Sequence, residues 1–138
     1  MSELHDLALH QVAAAFKSKT LSPVEYTDAL IARIERMDRS LNAFVLVQPE
    51  ELRRQAREAE KEMASSGPRT PLHGIPVAIK DMIDVAGLPT TCHSKLQLEQ
   101  IAAQDARSVF SLRQAGALIA GKTATWAVSY THLTLADE

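Results

Sequence analysis

The sequence predicts an α/β fold, and three observations carry that prediction. Apolar residues recur at helical spacing in four separate segments. Three short apolar runs sit between or after them and read as buried strands. From the second helix onward the two kinds of segment alternate, the order expected of an α/β domain. The 138 residues, 46% of them apolar, suffice for about one domain with its own core.

The elements follow in order. Leu4, Leu7, Ala8, Val12, Ala15 and Phe16 mark a first helix from about Leu4 to Lys17. In "SPVE", Ser22 can cap, Pro23 suits the first helical position and Glu25 completes a capping box. Tyr26, Leu30, Ile34, Met37 and Leu41 then form one stripe of a second helix running to about Arg39. "AFVLV", residues 43–47, reads as a strand. A third helix, Glu50 to about Ser65, carries Leu52, Ala56, Ala59 and Met63 on one face, and "SSGPRTP" after it is a loop. A second strand spans 75–80, with Pro76 suited to its first position and Gly74 to an unusual backbone angle before it. Gly87-Leu88-Pro89 reads as a turn. Asp105 is a candidate cap for a fourth helix with Ala106, Val109, Phe110 and Leu112 on its apolar face, and Gly116 can end it. Ala117 to Ala120 reads as a third strand, closed by Gly121.

Composition narrows the function. A net charge of -2 gives no electrostatic case for a nucleic-acid or membrane partner. The apolar runs are too short to span a bilayer. The single Cys92 rules out an internal disulfide framework, and a lone thiol without a signal peptide predicts the cytoplasm. Nothing resembles a repeat or a low-complexity tract. Cys92 and His93 invite a catalytic or metal reading, but adjacent residues rarely aim at one point and no partner ligands stand nearby in the sequence.

Lys80 is the residue that asks for an explanation. It ends an apolar strand, and Asp81 follows at once. Neighbours on a strand point to opposite faces, so Asp81 is poorly placed to neutralise Lys80; Asp84 could, across the turn. A lysine at a strand end ordinarily reaches solvent or pairs loosely with an acid. Thr90, Thr91 and Ser94 could line a site here or cap backbone groups.

A different chemistry is spelled by Gly116-Ala-Leu-Ile-Ala-Gly121-Lys122-Thr123, which matches the phosphate-binding pattern G-x-x-x-x-G-K-[ST] letter for letter. A real P-loop needs strand, loop and helix in that order. Here a helix precedes the first glycine, and the middle residues are strand-like, so nucleotide binding is a remote alternative.

The stretch "LHGIPVAIKDMIDVAGLPTTCHSK", Leu72 to Lys95, closely resembles the lysine segment of the amidase signature family. That family shows Gly-Ile-Pro, an apolar strand, Lys-Asp, then Val-Ala-Gly-Leu-Pro-Thr-Thr. "DARSVFSLRQAGALIAGKTAT", Asp105 to Thr125, is similar to the family's next helix and strand, and "LSPVEYTDALIARIERMDRSLNAFV" to its N-terminal helix pair. The resemblance covers nearly all of residues 1–125. It implies the N-terminal part of an α/β/α sandwich with a mixed central sheet, truncated in this chain.

The resemblance also implies a serine hydrolase that cleaves carbon–nitrogen amide bonds through a Ser–cis-Ser–Lys triad. Lys80 matches the family's lysine, with the implied role of general base acting through the cis-serine. Such a lysine must be neutral, and a free one titrates at about 10.4. Full burial is large enough to bring an amine close to neutrality, so a dry setting is expected around it. The implied substrate is a small-molecule amide, and no cofactor or metal is implied. The glutaminase subunit of the glutamyl-tRNA(Gln) amidotransferase shares this lysine segment, and that alternative would bring partner subunits. His93 stands where a glycine is common in the family, although Cys-His-Ser-Lys also occurs there.

The family's two serines lie in a Gly/Ser-rich segment downstream of the matched part, and this chain holds no such segment. Residues 1–138 alone are therefore expected to be inactive. "VSYTHLTL", Val128 to Leu135, resembles a translated sequencing adapter more than a protein family. Residues 126–138 are set apart from fold reasoning on that ground, and residues 1–125 are read as the N-terminal fragment of an amidase domain. The strands at 76–80 and 117–121 are then expected to lack neighbours and to leave unpaired edges.

Overall fold

A computed structural model describes residues 4–125. The non-native-looking tail, 126–138, lies outside the described residues. Helix α1 is Leu9–Ser18, preceded by a 3-10 turn at Leu4–Asp6, so the predicted first helix starts later than its stripe suggests. Helix α2, Pro23–Leu41, begins with the predicted cap and proline, although only the Ser22 half of the expected capping box forms: the Ser22 hydroxyl accepts a hydrogen bond from the backbone N–H of Glu25 at 3.0 Å, and Pro23 occupies the first turn. Strand β1 is Phe44–Val47 and helix α3 is Pro49–Ser66. Strand β2, Pro76–Lys80, helix α4, Arg107–Gln114, and strand β3, Leu118–Thr123, complete the order.

The sheet runs β1-β3-β2. β3 pairs antiparallel with β1 and parallel with β2, so the sheet is mixed. This revises the expected edges. β3 has neighbours on both sides, and among the described residues the free edges belong to β1 and β2.

Helices cover both faces. On one, Leu118 and Ala120 pack with Ile31 of α2 and with Leu52, Ala56 and Ala59 of α3. On the other, Ile79 and Ile119 pack with Val109 of α4 and with Val85 from the loop after β2. A third cluster, Val12, Phe16, Leu21, Met63 and Ile75, seats α1 against the end of α3. Each fully buried aliphatic side chain here contributes about 1.5–3 kcal/mol. Gly74, with φ 77°, lies under this last cluster; a Cβ there would come within 2.8 Å of the Met63 Cε.

Several sequence expectations fail for want of tertiary information: Met37 and Leu41 of the stripe read for α2 and Phe110 of the face read for α4 are exposed, and two local assignments change. Asp105 does not cap α4; Ala106 holds that position without a side-chain bond. The Asp105 carboxylate instead accepts from the Ala86 N–H at 2.7 Å and from Arg113 Nε at 2.9 Å, tying the long loop to the helix. Gly121 does not close β3. The strand continues through it to Thr123 because Gly121 forms an irregularity: Val77 pairs with Ile119, but Ala78 pairs with Gly121. Gly121 has φ 149°, and a Cβ there would lie 2.2 Å from the Leu46 carbonyl oxygen on β1. Only glycine fits so close a backbone approach.

The Lys80 corner as candidate functional site

The extra residue at Ala120–Gly121 decides which side chains meet. Along β2, Val77, Ile79 and Asp81 share the α4 face, while Ala78 and Lys80 share the α2/α3 face. On β3, Ile119 faces α4, and regular alternation would send Lys122 to the opposite side. The irregularity resets the phase. Lys122 therefore comes opposite Ile79 in the register and joins Asp81 on the α4 face.

Lys122 and Asp81 are both fully buried. The Lys122 ammonium lies 2.9 Å from Asp81 Oδ1, 2.8 Å from the Pro89 carbonyl oxygen and 3.3 Å from the Thr90 hydroxyl. The contact with Asp81 is an ion pair, and the Pro89 and Thr90 oxygens accept hydrogen bonds from the same ammonium. The other Asp81 oxygen, Oδ2, accepts from the Thr91 hydroxyl and, at 3.3 Å, from the Thr91 N–H. The backbone is pinned as well: the Asp81 N–H donates to the Thr123 carbonyl, and its own carbonyl accepts from the Cys92 N–H, both at 2.9 Å. Burial pushes the Asp81 carboxyl up, but the hydrogen bonds from Thr91 and Lys122, together with the Lys122 charge, outweigh it and hold the carboxyl below its ordinary value.

Lys80, one residue earlier, has the opposite setting. Its side chain is exposed and makes no ion pair or hydrogen bond among the described residues. Asp81 faces away from it, as strand alternation predicts. The dry surroundings expected for Lys80 are not supplied by the described residues. On the same face of the sheet, a groove of about 330 Å³ runs between α2 and the strands, lined in part by Ile34, Met37, Leu41, Phe44, Ala78 and Ala120.

The loop after Lys80 is organised rather than loose. Gly87 and Thr90 donate to the Ala102 and Gln100 carbonyls, and Ala102 donates back to Leu88, which folds residues 87–102 into a hairpin-like excursion. Ser94 caps the short 3-10 helix Lys95–Gln97. Cys92 and His93 take φ values of 49° and 60°, a left-handed pair uncommon for residues with a Cβ. That geometry gives a physical reason for a glycine at the position of His93. Among the described residues no group of three or more His, Cys, Asp or Glu could hold a metal ion.

The P-loop alternative fails on geometry. Leu118–Thr123 is a strand, and the lysine of the pattern is buried against Asp81 rather than presented to a phosphate. Sequence reasoning missed Lys122 as the partner of Asp81. The available signal was a lysine continuing a fully apolar strand, which requires a counter-charge somewhere in the fold.

Residues 25–134 match the profile of the Amidase family, a span that runs into the segment 126–138 set apart above. The chain is 43% identical over 120 residues to a glutamyl-tRNA(Gln) amidotransferase subunit of Geobacter metallireducens, covering 87% of this chain and 24% of that protein. It is 38% identical over 134 residues to an amidase of Pseudomonas putida, covering 97% of this chain and 28% of that one. The native peptide amidase of Stenotrophomonas maltophilia superposes with a TM-score of 0.79 at 31% identity, over 86% of this chain and 24% of its own. The chain spans about a quarter of the length of the curated relatives it matches.

Proposed function

This chain belongs to the amidase family, and from that premise we propose that it is the lysine-bearing part of an enzyme that hydrolyses a carbon–nitrogen amide bond. Lys80 is the proposed general base of a Ser–cis-Ser–Lys triad. The observation that carries the reading is Lys80 at the C-terminal end of β2, partner-free among the described residues, on a free sheet edge with its neighbouring carboxylate turned away. A base needs an amine that no local acid holds protonated, and that arrangement meets the condition. The remaining walls of a dry site would come from outside residues 4–125, since the groove beside α2 is open.

The two serines of the triad would come from sequence beyond the segment matched here. Residues 1–138 alone are accordingly expected to show no turnover. The substrate class is a small-molecule amide, and the lone, exposed Cys92 supports a reducing, cytoplasmic setting. No helix among the described residues is long and apolar enough to cross a membrane.

A second reading has its own support. Several of the relatives are glutamyl-tRNA(Gln) amidotransferase subunits, one at 43% identity. In that case the amide would be glutamine and partner subunits would be present. One experiment separates the readings. The complete reading frame containing Lys80 is cloned by sequencing the source DNA across Thr125, and the product is assayed with simple aryl and alkyl amides and with glutamine. Turnover of simple amides that Lys80→Ala abolishes supports the stand-alone enzyme, and turnover of glutamine alone supports the amidotransferase reading. Turnover that survives Lys80→Ala overturns both.

A further inference from the structure

We propose that the buried Asp81–Lys122 ion pair is a positioning device for Lys80, fixing the direction in which the last residue of β2 presents its amine. The inference rests on the reading of Lys80 as the base.

Lys80 is exposed and has no side-chain partner among the described residues to hold its course. It is also the last residue of an edge strand, where the backbone would ordinarily fray. The next residue is the opposite case. Asp81 is anchored by its carboxylate to Lys122 and Thr91 and by its backbone to Thr123 and Cys92. With Asp81 held inward, the Cα–Cβ bond of Lys80 must point to the other face.

Lys122 reaches its place only through the irregularity at Gly121, and its hydrogen bonds go to Pro89 and Thr90. One ammonium therefore joins the end of β2, the centre of the sheet and the loop that returns past Lys80. The pair is also self-neutralising, so Asp81 presents little net charge to the Lys80 amine.

An ordinary core role makes a different prediction. A buried ion pair can often be exchanged for apolar residues of similar volume without loss of stability. The test therefore compares Asp81→Leu/Lys122→Met with the parent in the enzyme translated from the complete reading frame. Thermal midpoint, kcat and KM are measured for amide hydrolysis. Positioning predicts a midpoint close to that of the parent, a kcat at least tenfold lower and a KM within twofold. A folded double variant whose kcat stays within threefold of the parent overturns the proposal.

If the double variant does not fold, Asp81→Asn/Lys122→Met carries the same comparison, because it keeps the shape of Asp81 and an acceptor for Thr91 while removing both charges. A fivefold or greater fall in kcat at unchanged KM is expected, and unchanged kcat overturns the proposal. Lys80→Ala is measured alongside. Loss of turnover there with full kcat in the pair variants removes the positioning role alone. Full turnover in Lys80→Ala removes the base assignment and the positioning role together.

Discussion

Lys122 Nζ lies 2.9 Å from Asp81 Oδ1, with both side chains closed to solvent. Removing one partner leaves a buried charge uncompensated, which costs about 3–5 kcal/mol. Lys122→Met is therefore expected to lower the unfolding free energy by about that amount in urea denaturation of the purified chain. Asp81→Leu/Lys122→Met is expected to recover most of the loss. A single variant as stable as the parent would show that the pair contributes little.

Gly121 permits the strand phase that brings this pair together. An added Cβ would sit 2.2 Å from the Leu46 carbonyl oxygen, which is backbone and cannot turn aside. Gly121→Ala is expected to destabilise by about 1–3 kcal/mol from overpacking, with added strain from a φ of 149°. Hydrogen exchange would locate the damage at β1 and β3. Unaltered protection in both strands would contradict the close approach.

These two positions also show what the sequence could and could not disclose. The Ser22 cap and the stripe of α3 depend on residues three or four apart, so they were legible; the stripe read for α2 was not its buried face, since Thr27 and Ile31 are buried while Met37 and Leu41 stand exposed along the open groove. Lys80 at the end of its strand and the opposed direction of Asp81 follow from the two-residue period of a strand. The partner of Asp81 was not legible, because it lies on another strand and depends on one irregular residue. Asp105 failed as a cap for the same kind of reason. Its carboxylate found the Ala86 N–H and Arg113 across the fold, and local capping chemistry does not foresee such competitors.

Stability should fall in two steps on acidification. His73 is fully buried, and burial, with the nearby Arg69 charge, holds it below its ordinary value of 6.5 despite Glu62 at 3.2 Å. The unfolded chain then takes up the proton first, so stability is full above 6.5 and declines as pH drops below it. Asp81 is held below its ordinary 3.8, so its contribution is full above that value and is lost as pH falls from there towards its folded value. Urea midpoints measured from about pH 8 to about pH 3 would show both limbs. His73→Gln, less stable throughout, should lack the first limb; an unchanged first limb would remove His73 as its source.

Lys80 makes the opposite demand on stability and activity. Its side chain is exposed and partner-free among the described residues, so Lys80→Ala should leave unfolding within about 0.5 kcal/mol of the parent. Removing a general base costs about 10²–10⁴ in rate. In the enzyme from the complete reading frame, Lys80→Ala should therefore lower kcat for amide hydrolysis by at least about a hundredfold while the protein still folds. Lys80→Arg should fare no better, because a guanidinium stays protonated and cannot accept the proton. A Lys80→Arg enzyme with near-parental kcat would mean that the side chain serves through its charge, and the base assignment would fall. Loss of activity in both variants, with the fold intact, is the pattern that a proton-accepting lysine requires.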